Sequence, residues 1–171
     1  HIGAIAVPIS IREQAPGLAY MLSHCTAVMV VHEADLSHLL PSAVDAPALK
    51  HRIAMSACEG SDLFASLLED GVVPPIQEVA EEDTAVILYT SGTTGRSKGA
   101  MLSHRNITSN VRTAIELFDL DPSMHTLSFL PINHVFEQVA GIILPLAVGG
   151  TVSFAESLRK LGDNLGEVNP I

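Results

Sequence analysis

The chain has 171 residues, about the length of one domain, and a chain of this size buries nearly 70% of the surface its unfolded form exposes. Nine basic residues against nineteen acidic ones give a formal charge of −10, which argues against a nucleic-acid partner and against a polybasic membrane anchor. The hydrophobic fraction of 47% permits an ordinary core, and the 4% aromatic content without Trp points to no function.

In chain order, short apolar β-branched runs alternate with helical patterns, the signature of an α/β domain with largely parallel sheets flanked by helices. Gly3 to Val7 reads as a strand. Pro16 sits in a first helical turn and opens a helix through about His24. Thr26 to Val31 is a buried strand, Asp35 to Leu40 a short helix stopped by Pro41, and Arg52 to Met55 a further short strand. Ser61-Asp62 is expected to cap a helix through about Glu69, with Gly71 to Pro75 as the connection that follows. Acidic Glu81-Glu82-Asp83 precedes the strand Thr84 to Leu88. Beyond a loop, Ala100 to Leu102 is extended and Ser103 caps a helix over His104 to Phe118, with Ile107, Val111, Ile115 and Phe118 on one face. Thr126 to Leu130 is a strand ending at Pro131. His134 to Ala147 is apolar on nearly all sides and predicts a buried helix despite Pro145, closed by Gly149-Gly150. Thr151 to Phe154 is a strand, and Leu158 to Val168 an amphipathic helix.

Cys25 and Cys58 lie far apart without metal-type spacing and form no disulfide framework, so a reducing cytoplasm is the expected setting. The longest apolar run, Val139 to Val152, is broken by Pro145 and three glycines and is no membrane span. The start inside what reads as the end of a helix and the stop after Asn169-Pro170 suggest an internal segment of a longer protein.

The stretch that carries chemistry is the loop Tyr89 to Gly99, where Thr90, Ser91, Thr93, Thr94 and Ser97 supply hydroxyls, Gly92, Gly95 and Gly99 supply backbone freedom, and Arg96 and Lys98 supply charge. It breaks from the carboxyl end of a strand, where α/β sheets place their ligands. Glycine lets successive N–H groups converge on an anion, and each charge-assisted hydrogen bond to a phosphate is worth roughly 1.5–3 kcal/mol. A Walker P-loop needs glycine before its lysine and Ser or Thr after it, whereas Ser97 and Gly99 flank Lys98. A second group, Phe129-Leu130-Pro131-Ile132-Asn133-His134-Val135-Phe136-Glu137, places a histidine, an aromatic ring and a carboxylate where a strand passes into a helix. On its own it reads as a helix cap and core packing; a metal pair of His134 with Glu137 finds no third ligand at suitable spacing. His24, His32, His38, His51, His104 and His125 are scattered, as composition alone would scatter them.

The string YTSGTTGRSKGAMLSHRN, Tyr89 to Asn106, closely resembles the phosphate-loop signature of the AMP-forming adenylating enzymes, the superfamily of acyl-CoA synthetases, luciferases and peptide-synthetase adenylation domains. Ser97 stands where that signature has proline. Leu130 to Glu137 is similar to a second motif of the superfamily, LPxxHxFE, and Leu144 to Pro170 looks most like its long-chain fatty acyl-CoA synthetases. Gln138 stands where that group often has arginine, and Gly3 to Pro8 resembles the family's early strand. The resemblance covers nearly the whole chain and implies part of the large N-terminal adenylation domain, residues 1–171, with the C-terminal domain absent and the segment inactive alone.

It further implies ATP, Mg²⁺ and CoA as the small-molecule requirements and a fatty acid as substrate. Ser91, Gly92, Thr93, Thr94, Gly95 and Lys98 would meet the β- and γ-phosphates, Thr90 would lie near the metal, His134 would orient the acyl carboxylate, and Phe136 would wall its pocket. A carrier protein in place of CoA, as for a fatty acyl-AMP ligase or a peptide-synthetase module, and a noncatalytic nucleotide-binding relative are the alternatives. Fatty substrates are compatible with peripheral attachment to a membrane, and acyl length and oligomeric state stay open.

Overall fold

The computed structural model describes residues 2–68, 71, 75–90 and 96–170. The chain divides into two compact units, one chiefly Ile9–Gln77 with Tyr89–Gly99, the other Gly3–Pro8, Glu78–Leu88 and Ala100–Ile171.

The first unit begins with α1, Ala15–His24, with Pro16 in its opening turn and Met21 and Leu22 buried. Thr26 adopts a left-handed φ of 51°, and the amides of Thr26 and Ala27 bond back to the carbonyls of Ser23 and Leu22, so the next strand starts later than its β-branched run suggests. Strand β1, Met29–His32, pairs in parallel with β2, His51–Ala54, and β2 pairs in parallel with β3, Asp62–Leu63. A 3₁₀ turn over Ala34–Leu39 links β1 towards β2. Ile53, Ala54 and Ala46 are buried.

The helix expected from Ser61 is replaced by β3 and a 3₁₀ turn over Phe64–Leu67; Glu69 and residues 72–74 lie outside the described residues. No cap forms at Ser61, whose hydroxyl bonds to His32 instead. His32 is buried, its Nδ1 is 2.8 Å from the Glu33 carbonyl, and its Nε2 is 3.0 Å from Ser61 Oγ. Nδ1–H therefore donates to Glu33, and Nε2 accepts from Ser61. Pairing with β2 then overrides local helix preference, as tertiary context often does.

In the second unit the predicted N-terminal strand is reduced to one parallel bridge, Ala6 with Val86. Strands β4, Thr84–Thr90, and β5, Lys98–Ser103, pair with each other; Thr84–Leu88 and Ala100–Ser103 belong to this unit, Tyr89, Thr90, Lys98 and Gly99 to the first, and Val86 and Leu88 are buried. Helix α2, His104–Phe118, starts where expected: Ser103 Oγ accepts from Asn106 N at 3.2 Å, while Asn106 Oδ1 accepts from Ser103 N at 3.0 Å. This reciprocal box satisfies two amides that helix geometry leaves free. Arg105 pairs with Glu81 at 3.2 Å and Glu82 at 2.7 Å, but these groups are well exposed and add little stability.

Strand β6, His125–Ser128, pairs in parallel with β7, Thr151–Phe154. A Cβ at Gly150 would collide with the Met124 carbonyl, which accepts from Thr151 N at 2.8 Å, so glycine is needed for that close approach. The expected helix from His134 is a π-helical segment over Glu137–Ile143 running into α3, Leu144–Val148. Pro145 explains the change: it has no amide to give to the carbonyl four residues earlier, and its ring crowds that carbonyl. Gly141 is that residue, and its carbonyl accepts from Thr126 Oγ1 at 2.9 Å. Pro145 is fully buried, whereas Val135, Phe136 and Leu146 are exposed, so the segment is not enclosed on all sides. The C-terminal stretch forms a 3₁₀ turn, Leu158–Lys160, then α4, Leu161–Val168.

Candidate nucleotide and acyl sites

Thr90 ends β4 and Lys98 opens β5, and both side chains are exposed. Ser91, Gly92, Thr93, Thr94 and Gly95 lie outside the described residues. Two paired strands thus deliver the hydroxyl and the ammonium at the two ends of the glycine-rich stretch. An exposed hydroxyl and a compact cation are the donor types a polyphosphate requires.

Aromatic groups brace the stems of this loop. Tyr89 Oη lies 2.8 Å from His24 Nδ1 and donates to the Met21 carbonyl at 3.2 Å. Its single proton being so placed, the imidazole must donate to the phenol oxygen. Tyr20 Oη donates to the Ser97 carbonyl at 3.2 Å, and the Arg96 guanidinium stands 5.7 Å from the centre of the Tyr20 ring. Tyr20 stacks on His24 with centroids 5.2 Å apart, and each of these rings meets Tyr89 edge-on, at 6.5 and 5.9 Å. Burial, then the neighbouring Cys25, pushes the Tyr89 phenol from 10.0 up to about 12, so it remains a hydrogen-bond donor near neutrality. Little in the residue pattern hints at this assembly. His24 reads as one scattered histidine among several, and only its spacing of four from Tyr20 on one helix face signals a pair.

In the second unit, His134 is exposed in the turn before the π segment. Its amide donates to the Pro131 carbonyl at 2.9 Å, and its Nδ1 accepts from the Phe136 amide at 3.3 Å, leaving Nε2 as the outward atom. Phe136 is 62% exposed, which is compatible with a pocket wall and not with the core. Glu137 is buried at 4% exposure, with its carboxylate bonded to Ser128 Oγ. A Cβ on Gly141 would approach Glu137 Oε1 to 2.7 Å, so glycine makes room for that carboxylate. Gln138 Nε2 donates to the Ile132 carbonyl at 2.8 Å, which ties the turn to the segment it enters. Glu137 is therefore occupied internally while His134 faces outward, which removes the metal pair considered for them. Among the described residues no group of three His, Cys, Asp or Glu side chains is placed to hold a metal ion, and no helix is long and apolar enough to cross a membrane.

A profile of AMP-binding enzymes matches residues 1–166. The chain belongs to the AMP-binding enzyme family. It is 41% identical over 95 residues to long-chain-fatty-acid–CoA ligase 5 of Rattus norvegicus, a match covering 52% of this chain and 14% of that ligase. It is 34% identical over 150 residues to a component of the linear gramicidin synthase of Brevibacillus parabrevis, covering 88% of this chain and 3% of that synthase chain. ATP-bound MatB from Rhodopseudomonas palustris superposes with a TM-score of 0.73 at 25% identity, over 96% of this chain and 33% of that one. The chain thus spans a minor part of each relative, and its fold is that of adenylating CoA ligases.

Proposed function

We propose that this AMP-binding chain supplies the phosphate loop and part of the acyl site of an ATP-dependent ligase that activates a long-chain fatty acid and passes it to CoA. The carrying observation is the placement of the Tyr89–Gly99 motif between paired strands, with Thr90 and Lys98 exposed at its ends. In the proposed reaction a carboxylate oxygen attacks the α-phosphorus of ATP and pyrophosphate departs. The CoA sulfur then attacks the acyl carbonyl of the adenylate and AMP leaves.

Lys98 and the hydroxyls and amides of Ser91, Gly92, Thr93, Thr94 and Gly95 hold the β- and γ-phosphates and stabilise charge on the departing pyrophosphate. Preorganised donors of this kind are most effective where charge develops. Thr90 is the side chain best suited to a hydrated magnesium ion, since its hydroxyl oxygen is a hard donor. Magnesium, when bound, would supply further neutralisation of the phosphates. His134 orients the acyl carboxylate through Nε2, and Phe136 walls the acyl pocket. The identity with the rat long-chain ligase supports the fatty-acid assignment, and a cytoplasmic enzyme working at a membrane surface suits such a substrate.

ATP/pyrophosphate exchange with palmitate tests the reading: the full-length protein is expected to catalyse it and the isolated segment to be nearly inert. Absence of exchange by the full-length protein refutes the reading and favours a noncatalytic nucleotide-binding relative. The similarity to a gramicidin synthase favours a second reading, transfer of the adenylate to a carrier-protein phosphopantetheine. Offering CoA or a holo carrier protein as acceptor separates the two.

A further inference from the structure

Tyr20 and His24 lie one helical turn apart on α1, yet their polar contacts reach opposite ends of the Tyr89–Gly99 loop. We propose that they are positioning residues that grip both stems of this loop, Tyr89 on the entering side and Arg96-Ser97 on the leaving side.

The contacts span 65 and 77 residues, so they are not by-products of local turn geometry. Each stem is held by a directional bond and by a ring face or edge: Tyr89 by His24 Nδ1–H and two edge-on rings, Arg96-Ser97 by the Tyr20 hydroxyl and ring. Tyr20 and His24 are stacked on each other, so displacing one disturbs the support of both stems. Proline, which stands before the lysine in the resembling signature, fixes its own φ; Ser97 here leaves that torsion free. The bond from Tyr20 to the Ser97 carbonyl supplies a restraint at the same residue. The clamp itself is independent of what the loop binds, while its consequence for ATP rests on the phosphate-loop reading.

The test compares full-length wild type with Tyr20→Ala, Tyr20→Phe, His24→Ala and His24→Asn, following tryptic cleavage after Arg96, thermal stability, and KM for ATP and for palmitate. His24→Ala and Tyr20→Ala are expected to speed cleavage after Arg96 by on the order of threefold or more, as for a locally opened segment. They should raise KM for ATP about tenfold, as small misplacements of binding groups do, with KM for palmitate and the melting temperature nearly unchanged. His24→Asn, whose amide can donate from the position of Nδ1 but which lacks the ring, and Tyr20→Phe, which keeps the ring but lacks the hydroxyl, should each fall between wild type and the alanine variant. Unchanged cleavage after Arg96 in both alanine variants overturns the clamp. So does faster cleavage with equal rises in KM for both substrates, which indicates general loosening. If wild type shows no exchange, the cleavage data alone decide the clamp, and only the ligase reading falls.

Discussion

Tyr89 and Ser97 take their partners from α1, 65 and 77 positions away in the chain, whereas Glu137 and Gln138 in the His134 segment bond to Ser128 and Ile132, nine and six positions away. The first region is assembled from solvent-facing donors on strand ends, braced by partly exposed aromatic rings. The second combines one buried carboxylate, Glu137, with an exposed histidine and an exposed ring. Long-range restraint carries a larger loop-closure cost and is established only when the unit folds as a whole. Local restraint comes with the π turn itself. Substitutions in the two regions should therefore separate nucleotide effects from acyl effects.

The largest separation is expected from Lys98→Ala. Loss of one preorganised donor to developing charge costs about 100-fold or more in turnover, so adenylation should fall that far while palmitate binding, measured by equilibrium titration, stays intact. Equal loss of both would mean that Lys98 supports folding and not phosphate.

Ser128→Ala attacks the other region by leaving the Glu137 carboxylate buried without its hydroxyl donor. Such an orphaned group costs about 1–3 kcal/mol, to be read as a lower urea midpoint in the full-length protein. KM for palmitate should rise and KM for ATP should not; the reverse pattern would break the proposed division of labour.

Ser103→Ala removes the α2 cap outside both regions. Its expected cost is about 1 kcal/mol, with neither KM altered. A rise in KM for ATP would show that the start of α2 takes part in holding the phosphate loop.

The smallest effect lies at alkaline pH. The folded chain raises the Tyr89 phenol from 10.0 to about 12, so between these values the folded state retains a proton that the unfolded state releases. The stability due to this shift is fully present below pH 10 and is lost as pH rises through about 12. Ultraviolet titration of tyrosinate should reveal a late-ionising tyrosine that Tyr89→Phe abolishes, and urea midpoints should fall over the same window.

Much of the fold can be read along the chain because its signals are local. Pro16 opens α1, Ser103 with Asn106 caps α2, and the apolar run Thr84 to Leu88 forms the inner part of β4. The misreadings arise where a distant residue intervenes. His32 takes the Ser61 hydroxyl and β2 recruits Asp62-Leu63, so the expected helix does not form. Pro145 and Thr126 together convert the expected regular helix into a π segment, because the carbonyl that loses its helical donor finds another on β6.

By itself the sequence determined the family, since the hydroxyls, glycines and lysine of residues 90–99 and the His134 motif are contiguous and need no fold to be recognised. Tertiary structure alone decided how the loop stems are braced and that Glu137 turns inward while His134 faces solvent. The physical reason is that hydrogen bonds, ring contacts and burial depend on distances in space, and residues as far apart as Tyr20 and Ser97 acquire such a distance only when the chain folds.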